Sequence, residues 1–145
     1  MSEIILASKS KVRKEILSSN GIECEVFPSN VDEDSIKISL LKENASPETI
    51  SKNLAEIKAN KVSAKFENKY VIGADSVIDL EGKIISKPTN RAQALDILKL
   101  LNGKPHYLIS SVCISKGGSM IWNYTDKAKL WMKKFNLNEL ENYLS

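Results

Sequence analysis

The sequence has few cysteines, no long hydrophobic run and no region that resembles a signal peptide. Cys24 and Cys113 lie far apart and lack the spacing of metal ligands, so we expect two reduced thiols in a cytoplasmic protein. No apolar stretch approaches the roughly 20 residues of a membrane span. The N-terminal residues include the acid Glu3 and no cleavable hydrophobic region. Membrane-spanning and secreted proteins are therefore not expected.

Strong charge of one sign is also missing. The chain has 21 Lys and Arg against 18 Asp and Glu, which gives a net charge of +3. No block of five or more basic residues occurs, and no aromatic residues are interleaved with the lysines. Such a surface is typical of solvated side chains rather than of nucleic-acid binding. A local group of cations that binds a polyphosphate is compatible with this composition.

The order of the apolar segments predicts a single α/β domain over residues 1–145, with a mixed β-sheet flanked by helices. Predicted strands occupy residues 3–7, 23–27, 70–80, 83–86, 107–115 and 120–132. Helices alternate with the first strands, and a hairpin joins the last two. This order favours a sheet with both parallel and antiparallel pairs.

Capping residues mark the predicted helices. Ser8 or Ser10 begins the first, and its apolar residues are expected to face inward: Val12, Ile16 and Leu17. Ser46 begins the longest, whose apolar stripe is Ile50, Leu54, Ile57 and Val62. Residues 29–44 read as a polar, acidic segment with a weakly helical patch at 36–41. Two further helices begin with capping-box patterns, Asn90 with Gln93 and Asn136 with Glu139.

Asp75 is the most informative residue, because it lies within an apolar strand. An ionised carboxylate is costly to bury unless a cation, a metal or hydrogen bonds compensate it. Lys87, held in an extended conformation before Pro88, is one candidate partner. Asp75 is either a proton acceptor in a cleft or half of a structural ion pair with Lys87.

Three other clusters carry groups that suit a phosphate substrate. Ser8, Ser10 and Arg13 lie at a helix N-terminus, which favours anions, although a capped helix with solvated cations has the same pattern. Lys58 lies at the margin of an apolar stripe, where it reaches either a cleft or solvent. Glu33 follows a strand in an acidic segment and either binds a hard divalent cation or is simply solvated.

Taken together, these clusters resemble the Maf family of septum-formation-inhibitor-like nucleoside triphosphate pyrophosphatases. The resemblance rests on six motifs in the order of the family: Ala7-Ser8-Lys9-Ser10 with Arg13-Lys14, Val31-Asp32-Glu33, Leu54-Ala55 with Lys58-Ala59, Gly73-Ala74-Asp75-Ser76-Val77, Lys87-Pro88, and Gly103-Lys104-Pro105-His106. The family implies a two-lobed, ITPase-like fold with a cleft, and often a homodimer. It also implies hydrolysis of a nucleoside triphosphate to the monophosphate and pyrophosphate with a divalent metal, Mg or Mn.

The resemblance also implies roles for individual residues. Asp75 is similar to the family's proton acceptor and, with Glu33, to the acids near the metal. Ser76 corresponds to a position tied to base preference. The remaining matches are to substrate-binding residues: Ser8, Ser10, Arg13, Lys58 and Lys87.

The sequence departs from the family at three places. Val12 stands where many members have an arginine, and Ser86 replaces a glycine before the lysine-proline pair. The family also continues beyond residue 145 with a glycine-rich stretch, a glutamine or related residue near the base and a closing apolar strand. A shortened member that binds nucleotides without turnover, as a module regulating cell division, is therefore the alternative expectation. A small nucleic-acid-binding protein is the third.

Overall fold

The computed structural model of the protein describes residues 3–85 and 88–144. The predicted cation Lys87 and its neighbour Ser86 lie outside the described residues. The strands are β1 (Ile4–Leu6), β2 (Glu25–Val26), β3 (Tyr70–Leu80), β4 (Lys83–Ile85), β5 (Pro105–Lys116) and β6 (Ser119–Trp131). The helices are α1 (Lys11–Ser19), α2 (Glu33–Lys42), α3 (Pro47–Ser63), α4 (Arg91–Leu101) and α5 (Leu137–Tyr143).

The strands form one mixed sheet in the order β2-β1-β3-β5-β6, which confirms the predicted fold class. β1 pairs in parallel with β2 and with the start of β3, whereas β5 pairs antiparallel with β3 and β6. β4 pairs antiparallel with the end of β3, on the edge that β1 also uses. The long β5–β6 hairpin lies where the last two predicted strands, at 107–115 and 120–132, place it.

The core lies between the sheet and α3. Ser46 caps this helix by accepting from the backbone N–H of Thr49 at 3.1 Å, and Pro47 occupies its first turn. Four fully buried small residues face the sheet at intervals of four, which is close to one helical turn: Ser51, Ala55, Ala59 and Ser63. Ile50, Leu54 and Val62 are buried beside them, but Ile57 is 37 % exposed, so the predicted stripe is wrong at that position.

Close contact between α3 and β3 requires glycine at position 73. A Cβ atom there would lie 2.3 Å from the backbone oxygen of Ala55 and 2.8 Å from the Cβ of Ala59. Any larger residue would push the helix away from the strand. The glycine therefore sets the distance between α3 and β3, and with it the distance between the side chains that these elements carry.

Three helix predictions need correction. Val12 and Ile16 of α1 are 63 % and 56 % exposed instead of facing inward. The acidic segment forms a full helix from Glu33, because Asp32 caps it through the backbone N–H of Ser35. Asn90 does cap α4 by accepting from the backbone N–H of Gln93. The reciprocal hydrogen bond of a capping box is different, because the Gln93 side chain accepts from Thr89 instead of from the backbone of Asn90. The capping box of α5 is present as predicted.

The described residues leave one face of the sheet partly open on the β5–β6 side. Trp122 and Tyr124 stack with ring centroids 6.3 Å apart and are 49 % and 57 % exposed. Leu108 of β5 is 36 % exposed. None of the described helices is long and apolar enough to cross a bilayer.

Candidate active site

The site lies at a gap in the edge of β3. β1 pairs with residues 70–72 and β4 with residues 78–80, and no described strand pairs with residues 73–77 on that edge. The carbonyl oxygen of Ala74 lies in this gap and accepts hydrogen bonds from Arg13 and Lys58, both at 3.2 Å. Two cations from separate helices therefore meet at one backbone oxygen. Unpaired strand edges normally bind another strand, but here charged side chains occupy the position.

Lys58 lies at the centre of the charged groups. Its side chain leaves α3 toward β3 and is buried, with only 7 % of the residue exposed. Its ammonium forms ion pairs with Asp75 at 3.2 Å and with Glu33. Of the two predicted positions for this lysine, cleft or solvent, the structure has it in the cleft.

Asp75 is 5 % exposed, and its two carboxylate oxygens have different environments. Oδ1 accepts from the Lys58 ammonium, whereas Oδ2 is buried without a hydrogen-bond partner among the described residues. Burial raises the pKa of the Asp75 carboxyl, and the charges of Lys58 and Lys37 oppose that rise only in part. Its ion-pair partner is Lys58 of α3; the proposed pairing with Lys87 falls outside the described residues.

The first predicted cluster forms the opposite side of the gap. Ser10 caps α1 by accepting from the backbone N–H of Arg13 at 3.2 Å. The Arg13 guanidinium donates to the hydroxyl of Ser8 at 3.2 Å, and that hydroxyl also accepts from the backbone N–H of Ser10 at 3.1 Å. The serines thus hold Arg13 against β3, next to Lys58.

Glu33 reaches the site from the first turn of α2 rather than from a loop. Its carboxylate is part of the same charged group as Asp75, because both pair with the Lys58 ammonium. The side chain is 40 % exposed, so it borders solvent while Asp75 does not.

Ser76 lies on the other face of β3 from Asp75, since successive strand residues alternate. It is exposed and shares a hydrogen bond of 3.0 Å with Ser110 of β5. Next to it on the same face, Ile78 pairs with Ile85 on one side and with Leu108 on the other. The polar pair of Ser76 and Ser110 therefore lies beside an apolar row that consists of Ile78, Ile85 and Leu108.

These groups line one cleft of about 920 Å³. It brings together the predicted residues Ser8, Ser10, Arg13, Glu33, Lys58, Asp75 and Ser76. Residues that sequence reasoning missed also line it: Lys37, Ile78, Ile85, Ile97 and Leu108. Lys37 follows Glu33 by four residues, so a helix starting at Asp32 would have pointed to it. The apolar row had no sequence signal, because it depends on strand register.

Comparisons with known proteins agree with the fold and show the family. The family model described as "Maf-like protein" matches residues 3–145. A protein named nucleoside triphosphate pyrophosphatase from Pelagibacter ubique (strain HTCC1062) is 71 % identical over 98 % of this chain and 73 % of its own length. A protein of the same name from Ruegeria sp. (strain TM1040) is 40 % identical over 97 % of this chain and 71 % of its own length.

A solved structure is similar in fold. The HAM1 protein from Coxiella burnetii superposes with a TM-score of 0.53 at 14 % identity, covering 90 % of this chain and 71 % of that one. At this identity the likeness concerns the arrangement of strands and helices only.

Proposed function

This chain belongs to the Maf-like protein family, and from that premise we propose that it hydrolyses nucleoside triphosphates to the monophosphate and pyrophosphate. The observation that carries the proposal is a buried carboxylate, Asp75, one oxygen of which has no hydrogen-bond partner among the described residues, beside two cations in an open cleft. Relatives at 71 % and 40 % identity bear the name nucleoside triphosphate pyrophosphatase. Non-standard or surplus triphosphates are the proposed substrates.

The charged side of the cleft suits the phosphate chain. Arg13 offers a planar set of N–H donors, and the N-terminus of α1 adds backbone N–H groups. Lys58 supplies a point charge next to the attacked group. Ser8 and Ser10 hold this arrangement in place and carry hydroxyls toward the substrate.

Asp75 is the proposed general base. A water molecule hydrogen-bonded to the Asp75 carboxylate attacks the α-phosphorus, its proton passes to that carboxylate, and the bond from that phosphorus to the bridging oxygen breaks. Pyrophosphate leaves with the bonding electron pair. The raised pKa of Asp75 makes it a better proton acceptor than an ordinary aspartate, because a general base works best near the operating pH.

The donor set also fits a divalent cation such as Mg or Mn. Oδ2 of Asp75, which has no hydrogen-bond partner among the described residues, and the carboxylate of Glu33 are hard oxygen ligands. The described residues contain no group of three or more candidate ligands, which agrees with an ion that takes its other ligands from water and phosphate. Bound there, the ion would neutralise charge on the phosphates.

The apolar row suits the other end of the substrate. Ile78, Ile85 and Leu108 offer a surface for the flat face of a nucleobase. Ser76 lies beside them and has a hydroxyl that can hydrogen-bond to a base edge. This is the proposed origin of base preference.

Product analysis tests the proposal. Standard and modified triphosphates are incubated with Mg or Mn, and pyrophosphate is measured separately from orthophosphate. We expect pyrophosphate and monophosphate in equal amounts; orthophosphate as the first product would contradict attack at the α-phosphorus. Asp75→Asn should lower kcat by at least about a hundredfold without unfolding the protein.

Asp79→Asn is the matched control for Asp75→Asn. Asp79 is buried on the same face of β3, but it accepts from the backbone N–H of Gly82 and does not line the cleft. The Asp79→Asn variant should keep most of the turnover of the unaltered protein. Tight nucleotide binding without multiple turnover would instead favour the regulatory binding module.

A further inference from the structure

Lys37 is a charged residue of the cleft that neither the family resemblance nor the mechanism above uses. It lies on α2, four residues after Glu33, and lines the cleft together with Asp75 and Arg13. Its exposure is intermediate, so the side chain is partly covered. It also borders a neighbouring cavity with Ile38, at the end of the cleft nearest α2.

Within residues 3–85 and 88–144, the ammonium of Lys37 forms no ion pair and no hydrogen bond. A glutamate four residues before a lysine on a helix normally forms an ion pair with it. Here Glu33 pairs with Lys58 of α3 instead. Neither Glu33 nor Asp34 forms an ion pair with Lys37 among those residues. The ammonium is therefore available to an anionic ligand in the cleft.

The position of Lys37 relative to Asp75 suggests which part of a ligand it meets. Lys58 touches the Asp75 carboxylate, whereas Lys37 acts on Asp75 only through space. If Asp75 faces the attacked phosphorus, Lys58 contacts that phosphate group and Lys37 contacts a phosphate group farther along the substrate. The apolar row Ile78, Ile85 and Leu108 is unsuited to phosphates, so the phosphate groups are expected at the charged end of the cleft.

We propose that Lys37 is a substrate-binding residue that contacts the phosphates beyond the attacked one, so that it selects triphosphates over monophosphates. The inference rests on the proposed function and adds a residue to it. Lys37 helps to hold the pyrophosphate moiety before and after cleavage, and it takes no part in proton transfer.

Calorimetric titration with magnesium tripolyphosphate and with a nucleoside monophosphate tests the inference without depending on the base. Lys37→Met should weaken tripolyphosphate binding about tenfold, the value of one charge-assisted contact, and leave monophosphate binding unchanged. In steady-state kinetics KM should rise about tenfold, while kcat changes less than about twofold. Lys37→Arg should restore most of the affinity, because it keeps the charge.

Lys42→Met is the matched control, since Lys42 ends the same helix and does not line the cleft. It should bind tripolyphosphate as the unaltered protein does. Equal affinity of Lys37→Met and the unaltered protein for tripolyphosphate would overturn the role of Lys37 alone, provided that the unaltered protein turns over triphosphates. Failure of the unaltered protein to bind or hydrolyse any triphosphate would overturn the proposed function as well.

Discussion

At the scale of single residues, Asp75 and Lys58 form one unit. Burial raises the pKa of the Asp75 carboxyl, and the ammonium of Lys58 at 3.2 Å lowers it, with burial the larger effect. Glu33 reinforces the rise in the pKa of Asp75 and also shares the same ammonium. The lysine thus offsets part of the effect of burial and favours the ionised carboxylate.

Lys58→Met should therefore move the acid limb of the kcat/KM profile to higher pH. Under the proposed mechanism turnover needs ionised Asp75, and loss of the cation favours the protonated form, so a higher pH is required to ionise it. We expect kcat/KM at neutral pH to fall at least about tenfold, and a pH series measures both effects. Lys52→Met, on the same helix but outside the cleft, should leave the acid limb in place. An unmoved limb in Lys58→Met would show that Asp75 is not the titrating base.

At the scale of elements, the contact between α3 and β3 decides the geometry of the site. Small side chains on the helix and Gly73 on the strand let the two backbones approach closely. The hydroxyl of Ser51 donates to the backbone oxygen of Asp75 at 3.1 Å, which ties the helix to the strand at the proposed general base. Lys58 lies about two turns farther along the helix and reaches the same carboxylate.

Gly73→Ala should disturb both stability and activity. The added methyl group overlaps the backbone oxygen of Ala55, which cannot move without shifting α3. Overpacking of this kind costs about 1–3 kcal/mol of unfolding free energy, measured by urea denaturation. The ion pair between Lys58 and Asp75 should lengthen, and kcat should fall.

Adding Ala59→Gly to Gly73→Ala should not restore either property. The nearest clash is with backbone at 2.3 Å. The double variant removes the contact with the Cβ of Ala59 at 2.8 Å but leaves the one with the backbone nitrogen of Ala59, also at 2.8 Å. Full recovery in the double variant would show that side-chain crowding, rather than the approach of the backbone, sets the spacing.

At the scale of the whole molecule, the charged side of the cleft combines residues from four distant segments. Residues 8–13, 33–37, 58 and 74–76 meet because β1 and β4 leave a gap in the edge of the central strand β3. In open α/β sheets such crevices lie where connections diverge at strand ends. The described residues contain no group of three or more His, Cys, Asp or Glu side chains that could hold a metal ion, and in the proposed mechanism the ion would bind at the two carboxylates around Lys58.

Removal of divalent metal should consequently stop turnover without unfolding the protein. We expect EDTA to abolish pyrophosphate release while the midpoint of thermal unfolding shifts by less than about 2 °C, because few protein ligands are involved. Added Mg should restore the rate. A fall in the midpoint of many degrees would indicate a structural metal, and persistent turnover in EDTA would contradict metal dependence.

The sequence by itself determined the elements and most of the chemically important residues. Local signals were enough for the helix caps at Ser46 and Asn136, and they limited the cap of α1 to Ser8 or Ser10, because capping involves neighbours in the chain. An acid in an apolar strand marked Asp75, because an unpaired buried charge is costly whatever the fold. These features depend on sequence distance alone.

Only the tertiary structure decided which side chains meet. Lys58, rather than a residue nearer in the chain, became the partner of Asp75, since Gly73 lets α3 approach β3. The apolar row beside Ser76 arose from the pairing of three strands, which no single segment encodes. Lys37 remained without its usual helical partner because Glu33 turned to another helix. Contacts between distant segments depend on packing, and packing is a property of the whole chain.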